Sequence, residues 1–235
     1  MKTSIIIPAY NEQARIGKTL TTYATLFEEK KIPHELVVVL NGCKDKTLEI
    51  VQEIQKQFFS IHVINLKQAG KGLAVAAGFK DALTRENDFI GFVDADMATR
   101  PEYFLELIQK IGAQDGIIAS RYMKQSQIFP KRPPQKEWGR ILVYNPVVRV
   151  LFGIHYKDFQ CGAKLFKRAV VEKIASQLTM QQWAFDVELL YLCKKNKFTV
   201  TELPTVWYDQ DHSKFKLMSS GASMFRSLFK LRFKR

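Results

Sequence analysis

Short apolar runs alternate with amphipathic stretches over the first half of the chain. The runs are rich in β-branched residues and have the length of ordinary strands, which is typical of strands buried on both faces of a sheet. Five of them are predicted as strands, at residues 4–7, 35–40, 61–66, 89–94 and 116–120. The intervening stretches are predicted as helices, at residues 12–30, 45–58 and 103–111, with a fourth running from a Gly70-Lys71-Gly72 turn to residue 84. Strands that alternate with helices predict βαβ units and a parallel, doubly wound sheet.

The pattern changes after Arg121. A loop is expected at the Lys131-Arg132-Pro133-Pro134 motif. Residues 138–154 are expected to form two short helices, because Asn145 can cap a helix whose first residue is Pro146. The remaining predicted elements are strands at 158–166 and 198–203 and a helix at 184–192.

Polar or glycine-rich loops follow four of the predicted strands. They are Pro8-Ala9-Tyr10-Asn11-Glu12, Asn41-Gly42-Cys43-Lys44-Asp45, Gly70-Lys71-Gly72 and Asp94-Ala95-Asp96. In a parallel sheet the carboxyl ends of the strands meet at one edge, and ligands bind just beyond that edge. Turn or cap chemistry explains each loop alone, but their shared position predicts a binding site.

The Asp94-Ala95-Asp96 motif places two carboxylates directly after an apolar strand. On an extended backbone, residues two apart project to the same side, so both side chains can reach one ligand. A hard divalent cation that also binds phosphate oxygens is the natural candidate. The alternative is a solvated turn, since Asp is common after strands. Whether the motif is a metal site or a solvated turn depends on the residues of the neighbouring loops.

The composition favours an anionic partner and a reducing compartment. Hydrophobic residues make up 46% of the chain, which excludes bulk disorder. The 36 Lys and Arg residues against 23 Asp and Glu residues give a formal net charge of +13, which favours nucleotides, nucleic acid or an acidic membrane surface. Cys43, Cys161 and Cys193 have neither metal-ligand nor disulfide spacing, which fits the cytoplasm. We find no signal peptide and no run of about 18 or more apolar residues, so membrane contact is expected to be peripheral.

Residues 212–235 combine basic and apolar side chains. No acidic residue follows Asp211, while seven basic residues interleave with apolar ones. Helical spacing places Phe225, Leu228 and Phe229 on one face beside basic residues, which suits an interfacial helix on anionic lipid. A terminal helix docked on its own domain explains the pattern equally well. Nucleic acid is a weaker alternative, because no recognised binding module accompanies the charge.

Taken together, these motifs resemble those of glycosyltransferase family 2 with the GT-A fold, specifically the polyprenyl-phosphate (dolichyl-phosphate type) glucosyl- and mannosyltransferases. The resemblance covers nearly the whole chain. Each motif alone is a weak signal, but together they occur in the same order as in the family, which makes the resemblance specific. The matching segments are 4–12, 37–47, 69–78, 92–101, 119–122, 158–166 and 185–188.

The resemblance implies a single α/β domain with a mostly parallel, Rossmann-like sheet flanked by helices. It would comprise a nucleotide-sugar-binding half at residues 1–120, an acceptor-binding half at 121–211 and a basic amphipathic tail at 212–235. The implied reaction is inverting transfer of a hexose from a nucleoside-diphosphate sugar to a polyprenyl phosphate. UDP-glucose is favoured over GDP-mannose, because the loops look closest to the glucosyl branch.

The resemblance also assigns donor-side roles. Mg²⁺ or Mn²⁺ held by Asp96, with Asp94 as a second ligand or as a contact to ribose, would neutralise the charge of the departing diphosphate. Lys71 would add a positive charge near the phosphates, although a plain surface lysine is the alternative. The expected base and ribose pocket consists of Pro8, Tyr10, Glu12, Asn41 and Asp45.

A polyprenyl phosphate is already ionised at neutral pH, so it needs no strongly tuned base. Arg121, Arg140 and Lys214 are then expected to hold the lipid phosphate. A hydroxyl acceptor would need a carboxylate base, and Asp186 is the best placed by its motif. Asp186 can also orient a loop or an arginine, and we expect it to serve the acceptor side in either case.

Two segments depart from the family pattern. The second loop reads Leu40-Asn41-Gly42-Cys43 where the family usually has Asp-Asp-Gly-Ser, and Ala98 replaces a glutamine that some mannosyl members carry after the metal aspartates. We also expect no counterpart of the transmembrane extension that some relatives carry. The expected location is therefore the cytoplasm, peripheral on the cytoplasmic face of an anionic membrane, with no nucleic acid partner.

Two other functions remain open at this stage. One is a family 2 transferase that acts on a soluble glycan or polysaccharide hydroxyl. The other is a catalytically silent, membrane-associated nucleotide-sugar binder. The intact Asp94-Ala95-Asp96 motif argues against the silent protein, whereas Asn41 and Ala98 keep it open. Sugar-1-phosphate nucleotidyltransferases are less favoured, because their glycine-rich phosphate loop normally lies where this chain has residues 8–12.

Overall fold

The computed structural model describes residues 1–131, 140–182, 184–209 and 217–233, and these residues form one α/β domain. The strands are β1 (Thr3–Ala9), β2 (His34–Asn41), β3 (Ile61–Leu66), β4 (Phe89–Phe92), β5 (Gly116–Ser120), β6 (Gln127–Phe129), β7 (Lys164–Lys167), β8 (Val200–Pro204) and β9 (Val206–Tyr208). The helices are α1 (Ile16–Glu29), α2 (Thr47–Gln55), α3 (Lys71–Ala82), α4 (Pro101–Lys110), α5 (Asn145–Phe152), α6 (Arg168–Ile174), α7 (Phe185–Lys195) and α8 (Leu217–Phe233). A π-helical turn, Arg140–Tyr144, leads directly into α5.

Seven strands form one sheet in the order β3-β2-β1-β4-β7-β5-β8. All neighbours in this sheet are parallel except β7, which runs antiparallel to β4 and β5. The remaining two strands, β6 and β9, form a separate parallel ribbon. The predicted mostly parallel sheet flanked by helices is therefore confirmed. The strand predicted at residues 158–166 is much shorter, because β7 begins only at Lys164.

The sheet lies between two hydrophobic cores. Successive side chains of a strand point to opposite faces, so Ile5 and Ile7 pack in the core that contains Leu20 of α1, whereas Ile6 packs in the core that contains Phe79 of α3. Every residue of β1 is buried. This arrangement explains why β1 is a continuous apolar run rather than an alternating one.

The predicted helix cap at Asn145 is wrong. Asn145 makes no capping hydrogen bond, because the π-helical turn before it is already helical and leaves no free helix start at that point. Its side-chain Nδ2 instead donates a hydrogen bond to the carbonyl oxygen of Lys157 at 3.2 Å. Pro146 was predicted as the first residue of this helix and is its second, which still places it in the first turn of α5.

The terminal helix α8 packs on the domain through one face. Leu228 is fully buried, and the ring of Phe225 contacts the ring of Tyr144 edge to face at a centroid distance of 6.5 Å. On the other side, Phe229 and Phe233 are exposed. Among the helices of the described residues, none combines the length and the apolar character that a bilayer-spanning segment needs.

Candidate active site

The loops after β1 and β2 are joined into one unit at the carboxyl edge of the sheet. Asn11 Oδ1 accepts a hydrogen bond from the Lys44 amide at 2.7 Å, and Thr47 Oγ1 accepts one from the Glu12 amide at 2.8 Å. Asp45 accepts hydrogen bonds from the backbone of Gln13 and from Thr47. Burial would raise the pKa of Asp45, but these hydrogen bonds outweigh it and hold the pKa below its ordinary value.

Of the predicted base and ribose pocket, three residues lie on this joined unit and two lie beside it. Tyr10 is 40% exposed at the end of β1, while Pro8 is buried within the strand. Asn41 is buried and links two loops, because its Nδ2 donates to the carbonyl oxygen of Ala9 at 2.8 Å and its Oδ1 accepts from the Gly70 amide at 3.1 Å. In this structure the amide of Asn41 therefore positions the Gly70 turn.

The Gly70-Lys71-Gly72 turn is covered by protein backbone. The Gly72 amide donates to the carbonyl oxygen of Gln181 at 2.9 Å, and a Cβ at Gly70 would lie 2.7 Å from the same oxygen. The sequence suggested that these glycines allow a phosphate to approach the backbone. In the structure it is the 178–182 segment that approaches them.

Glu188 of α7 holds the 178–182 segment in place. Its buried carboxylate accepts hydrogen bonds from the Thr179 amide at 3.0 Å, the Thr179 hydroxyl at 2.7 Å and the Met180 amide at 2.8 Å. Sequence reasoning did not assign Glu188 a role, although a carboxylate inside an apolar helix was a signal. The consequence is that α7 and the Lys71 turn are fixed relative to each other.

Replacing Gly72 with alanine is expected to disrupt this contact. The added Cβ would collide with the carbonyl oxygen of Met180 and would lie 2.7 Å from the Cβ of Phe185. We expect the free energy of unfolding, measured by urea denaturation, to fall by about 1–3 kcal/mol, as for other overpacked sites. Gly17→Ala is the matched control, since a Cβ in α1 would meet Ile50 at an ordinary 3.4 Å and alanine favours helix by up to ~1 kcal/mol. An equal loss of unfolding free energy in both variants would contradict the close contact between Gly72 and the 178–182 segment.

Asp94 and Asp96 follow β4 at the centre of this edge. Lys71 Nζ lies 2.6 Å from Asp94 Oδ1, and the other carboxylate oxygen of Asp94 lies against Gly162, where no side chain blocks it. Burial and the negative charge of Asp94 raise the pKa of Asp96 to about 6. The two carboxylates thus create a concentration of negative charge that Lys71 partly neutralises.

Helix α1 fastens the loop that carries these carboxylates. The Thr19 hydroxyl donates to the carbonyl oxygen of Ala95 at 2.7 Å, and the Tyr23 hydroxyl donates to that of Thr99 at 2.9 Å. Within the loop, Asp96 Oδ1 accepts a hydrogen bond from the Ala98 amide at 3.0 Å. These bonds fix the backbone on both sides of Asp96.

Asp186 lies beneath this edge in a buried ion pair. Lys164 Nζ lies 2.6 Å from Asp186 Oδ1 and donates a second hydrogen bond to the carbonyl oxygen of Cys161 at 2.6 Å. The side chains of Lys164 and Asp186 are 0% and 3% exposed. The expected base of a hydroxyl acceptor is thus already occupied by a lysine that sequence reasoning did not single out.

The two ion pairs form a row of alternating charges over one aromatic ring. Lys71 Nζ and Lys164 Nζ lie 5.7 and 5.2 Å from the centroid of Phe92. Burial would lower the pKa of Lys71, but Asp94 and then Asp186 outweigh it and raise the pKa above its ordinary value. Asp94 and Asp186 are therefore electrostatically connected through Lys71.

Arg121, at the start of the predicted acceptor-binding half, is held by Asp158. Its Nε and Nη2 donate to the two carboxylate oxygens at 2.7 and 2.9 Å, and its amide donates at 3.0 Å. The guanidinium also lies 4.8 Å from the centroid of Trp207. With Ile128, Phe129 and others it lines a surface cavity of about 530 Å³. Of the other predicted phosphate ligands, Arg140 lies in the π-helical turn with its side chain outside the description, and Lys214 lies outside the described residues.

A second cavity, of about 580 Å³, lies at the opposite edge of the sheet and includes Arg85, Asp88 and Arg168. Its two arginines are already bound to the protein, Arg85 through Asp81 and Glu35. Arg168 donates to the carbonyl oxygens of Leu83 and Arg85 and to Glu172. The carboxyl edge, where the carboxylates converge, is therefore the candidate site.

Comparison with known families supports the same location. The family model described as "Glycosyl transferase family 2" matches residues 4–175, a range that includes β1, β4, β7 and the loops described above. Its match ends before α7, which carries Asp186 and Glu188.

Two curated relatives match over almost the whole chain. A dolichyl-phosphate beta-glucosyltransferase from Dictyostelium discoideum is 34% identical, with 98% of this chain and 74% of the relative covered. The dolichyl-phosphate beta-glucosyltransferase of Saccharomyces cerevisiae is 33% identical, with 97% and 73% covered.

A solved structure shares the fold. Glucosyl-3-phosphoglycerate synthase from Mycobacterium tuberculosis, crystallised with Mn²⁺, uridine diphosphate and phosphoglyceric acid, superposes with a TM-score of 0.72 at 16% identity. The match covers 98% of this chain and 76% of that protein.

Proposed function

The chain belongs to glycosyl transferase family 2 and has the GT-A fold, and on that premise we propose that it transfers glucose, with inversion, from UDP-glucose to a polyprenyl phosphate of the dolichyl type. The observation that carries the proposal is the similarity to dolichyl-phosphate beta-glucosyltransferases at 33–34% identity over 97–98% of this chain. Similarity over that extent includes the acceptor side as well as the donor side.

On the proposed donor side, Lys71 supplies a positive charge for the negatively charged diphosphate. The departing nucleoside diphosphate develops negative charge, which a cation or a hydrogen-bond donor has to stabilise. Lys71 carries a positive charge beside Asp94 and is positioned by the Gly70 and Gly72 contacts. The joined loop that contains Tyr10, Glu12 and Asp45 would hold the base and ribose.

Asp94 and Asp96 fit a divalent cation. Both are carboxylates that follow one strand, and burial together with the negative charge of Asp94 raises the pKa of Asp96 to about 6. The described residues contain no cluster of three or more His, Cys, Asp or Glu side chains that could hold a metal, so diphosphate oxygens and water would complete the coordination of Mg²⁺ or Mn²⁺. When bound, the cation would act as a Lewis acid toward the leaving diphosphate.

The acceptor side would hold a phosphate and a prenyl chain. The cavity beside Arg121 combines cationic and apolar side chains, including Lys131, Ile128 and Phe129, which suits an anionic head on an apolar chain. Arg140 and Lys214 are proposed as further phosphate ligands. Because a phosphate acceptor needs no base, the pairing of Asp186 with Lys164 favours a positioning role for Asp186.

The proposed location is the cytoplasmic face of a membrane, where the protein would bind peripherally to its lipid acceptor. The three cysteines, Cys43, Cys161 and Cys193, are free thiols, which suits a reducing compartment. The net charge of +13 suits an anionic membrane surface.

A transfer assay tests the proposal. Purified protein is incubated with Mg²⁺ or Mn²⁺, a short polyprenyl phosphate in detergent, and radiolabelled UDP-glucose or GDP-mannose in parallel reactions. We expect label from UDP-glucose to enter the organic phase, to be lost on chelation and to return when Mn²⁺ is added in excess.

Other outcomes would replace the proposal. Label from GDP-mannose alone would change the donor. No label with either donor, despite metal-dependent nucleotide binding, would favour a soluble acceptor, and no nucleotide binding would favour the silent binder.

A further inference from the structure

Exposed apolar side chains are concentrated on two neighbouring helical segments. Nine large hydrophobic residues are exposed in the described part of the chain, and five of them lie on these segments. The five are Leu142 (70%), Val143 (49%), Val150 (85%), Phe229 (48%) and Phe233 (71%). We call this group the two-helix face.

The two segments pack directly on each other. Tyr144 contacts Phe225, and Val148 of α5 shares a buried cluster with Leu228 of α8. On α8, helical spacing places Phe229 and Phe233 well away from the buried Leu228. The five exposed side chains therefore belong to one packed helix pair.

The charges on these segments are all of one sign. Residues 138–157 and 212–235 contain no Asp or Glu. Exposed basic side chains lie among the apolar ones, namely Arg149, Arg226, Lys230 and Arg232. Protein interfaces deplete charge at their apolar centre, whereas apolar tips beside Lys and Arg are typical of helices that lie in the headgroup region of anionic bilayers.

The helix pair that carries the two-helix face packs against the segment that holds Arg121. Tyr144 packs on Phe159 at a centroid distance of 6.5 Å, and Phe159 follows Asp158, which binds Arg121. The Tyr144 hydroxyl is buried and has no hydrogen-bond partner. The helix pair is therefore connected by packing to Arg121, which we propose as a ligand of the lipid phosphate.

We infer that α8, α5 and the π-helical turn together form the docking surface of this protein for an anionic phospholipid bilayer. The inference rests on the proposed function and deepens it, because a protein docked on the bilayer would have its active site close to the lipid acceptor. The apolar tips would insert at the headgroup boundary, and the basic side chains would contact lipid phosphates.

Vesicle co-sedimentation of the full chain tests the docking surface without any sugar donor or acceptor. We expect binding to vesicles of equimolar phosphatidylcholine and phosphatidylglycerol, and weak binding to phosphatidylcholine alone. The double variant Val150→Ser, Phe229→Ser is expected to weaken binding on the order of tenfold, because each exposed side chain loses its apolar burial. Arg226→Gln with Lys230→Gln is expected to weaken it by about 25-fold, from about fivefold for each of the two charges.

Matched controls lie elsewhere on the surface. Phe59→Ser removes a side chain that is 92% exposed after α2, and Lys56→Gln with Lys110→Gln removes two exposed charges from α2 and α4. Both controls should bind vesicles like the unaltered protein. Failure of the unaltered protein to bind anionic vesicles, or equal losses in the controls, would overturn the inference.

The test separates docking from catalysis. Glucose transfer to a short-chain polyprenyl phosphate in detergent should be unchanged in Val150→Ser, Phe229→Ser. Vesicle binding without transfer would reject the proposed function and leave the docking surface intact. Transfer without vesicle binding would reject the docking surface and leave the proposed function intact.

Discussion

Replacing Lys164 with methionine is expected to lower the free energy of unfolding by about 3–5 kcal/mol, because it leaves Asp186 as an uncompensated buried charge. Lys164 is fully buried, and its ammonium group lies 2.6 Å from both Asp186 Oδ1 and the carbonyl oxygen of Cys161. Methionine keeps the length of the side chain and removes the charge. Urea denaturation followed by tryptophan fluorescence gives the measurement.

Two further variants make this prediction specific. Lys164→Met combined with Asp186→Leu removes both charges, and it should recover much of the loss, since buried pairs are often replaceable by apolar residues. Lys167→Met, three residues on, removes a lysine whose hydrogen bond to the Ala113 carbonyl is exposed, and it should cost about 0.5 kcal/mol or less. If Lys164→Met lowered the free energy of unfolding no more than Lys167→Met does, Asp186 would not depend on Lys164 to compensate its buried charge.

The Lys164–Asp186 ion pair also provides a test of whether Asp186 takes part in the reaction. Asp186→Asn keeps the shape of the side chain and weakens its attraction for Lys164. Unchanged turnover in this variant would remove Asp186 from the mechanism. A fall in turnover that Lys164→Arg does not reproduce would assign the effect to Asp186 itself.

Replacing Asp96 with asparagine is expected to reduce turnover by about 10²–10³-fold, the usual effect of losing one electrostatic contact to a leaving group. The fold should not suffer. Asparagine retains the oxygen that accepts the Ala98 hydrogen bond, and it removes a charge that burial and Asp94 already disfavour. The expected result is therefore an inactive protein that is as stable as the original or more so.

Mn²⁺ binding followed by electron paramagnetic resonance, without donor or acceptor, gives a second readout for Asp96→Asn and should weaken in parallel with turnover. Asp88→Asn is the matched control, because Asp88 precedes the same strand at the opposite edge of the sheet. Loss of turnover in both variants, or loss without weaker Mn²⁺ binding, would contradict a metal role for Asp96. Asp94 is a less clean test, since its removal also leaves Lys71 without its closest counterion.

Much of the fold follows from local patterns in the sequence. Buried apolar runs such as residues 4–7 and 35–40 correspond to strands in the structure, because a doubly covered strand needs apolar residues on both faces. The convergence of the loops at the carboxyl edge also followed from the alternation of strands and helices. The direction of β7 did not, because Lys164–Lys167 is too short to carry a pattern and its partners β4 and β5 are distant in sequence.

The site was less predictable for the same reason. Lys164 and Asp186 are far apart in the chain, and neither position indicates its partner. The glycines at 70 and 72 were correctly marked as sites of close approach, but the approaching group is Gln181 of the same chain. Patterns along a sequence identify which residues have unusual requirements, whereas the groups that meet those requirements come from tertiary packing.

The position of β7 has a consequence for synthesis. β7 lies between β4 and β5, so in the described sheet β5 pairs only with β7 and β8, which both come later in the chain. A ribosome-bound chain that has emerged only as far as residue 120 would therefore expose an unpaired edge of β4 and an unpaired β5. Such edges invite association with other chains. We expect the first 120 residues expressed alone to aggregate, and we expect the full chain to complete its sheet late, after translation has passed the last residue of β8.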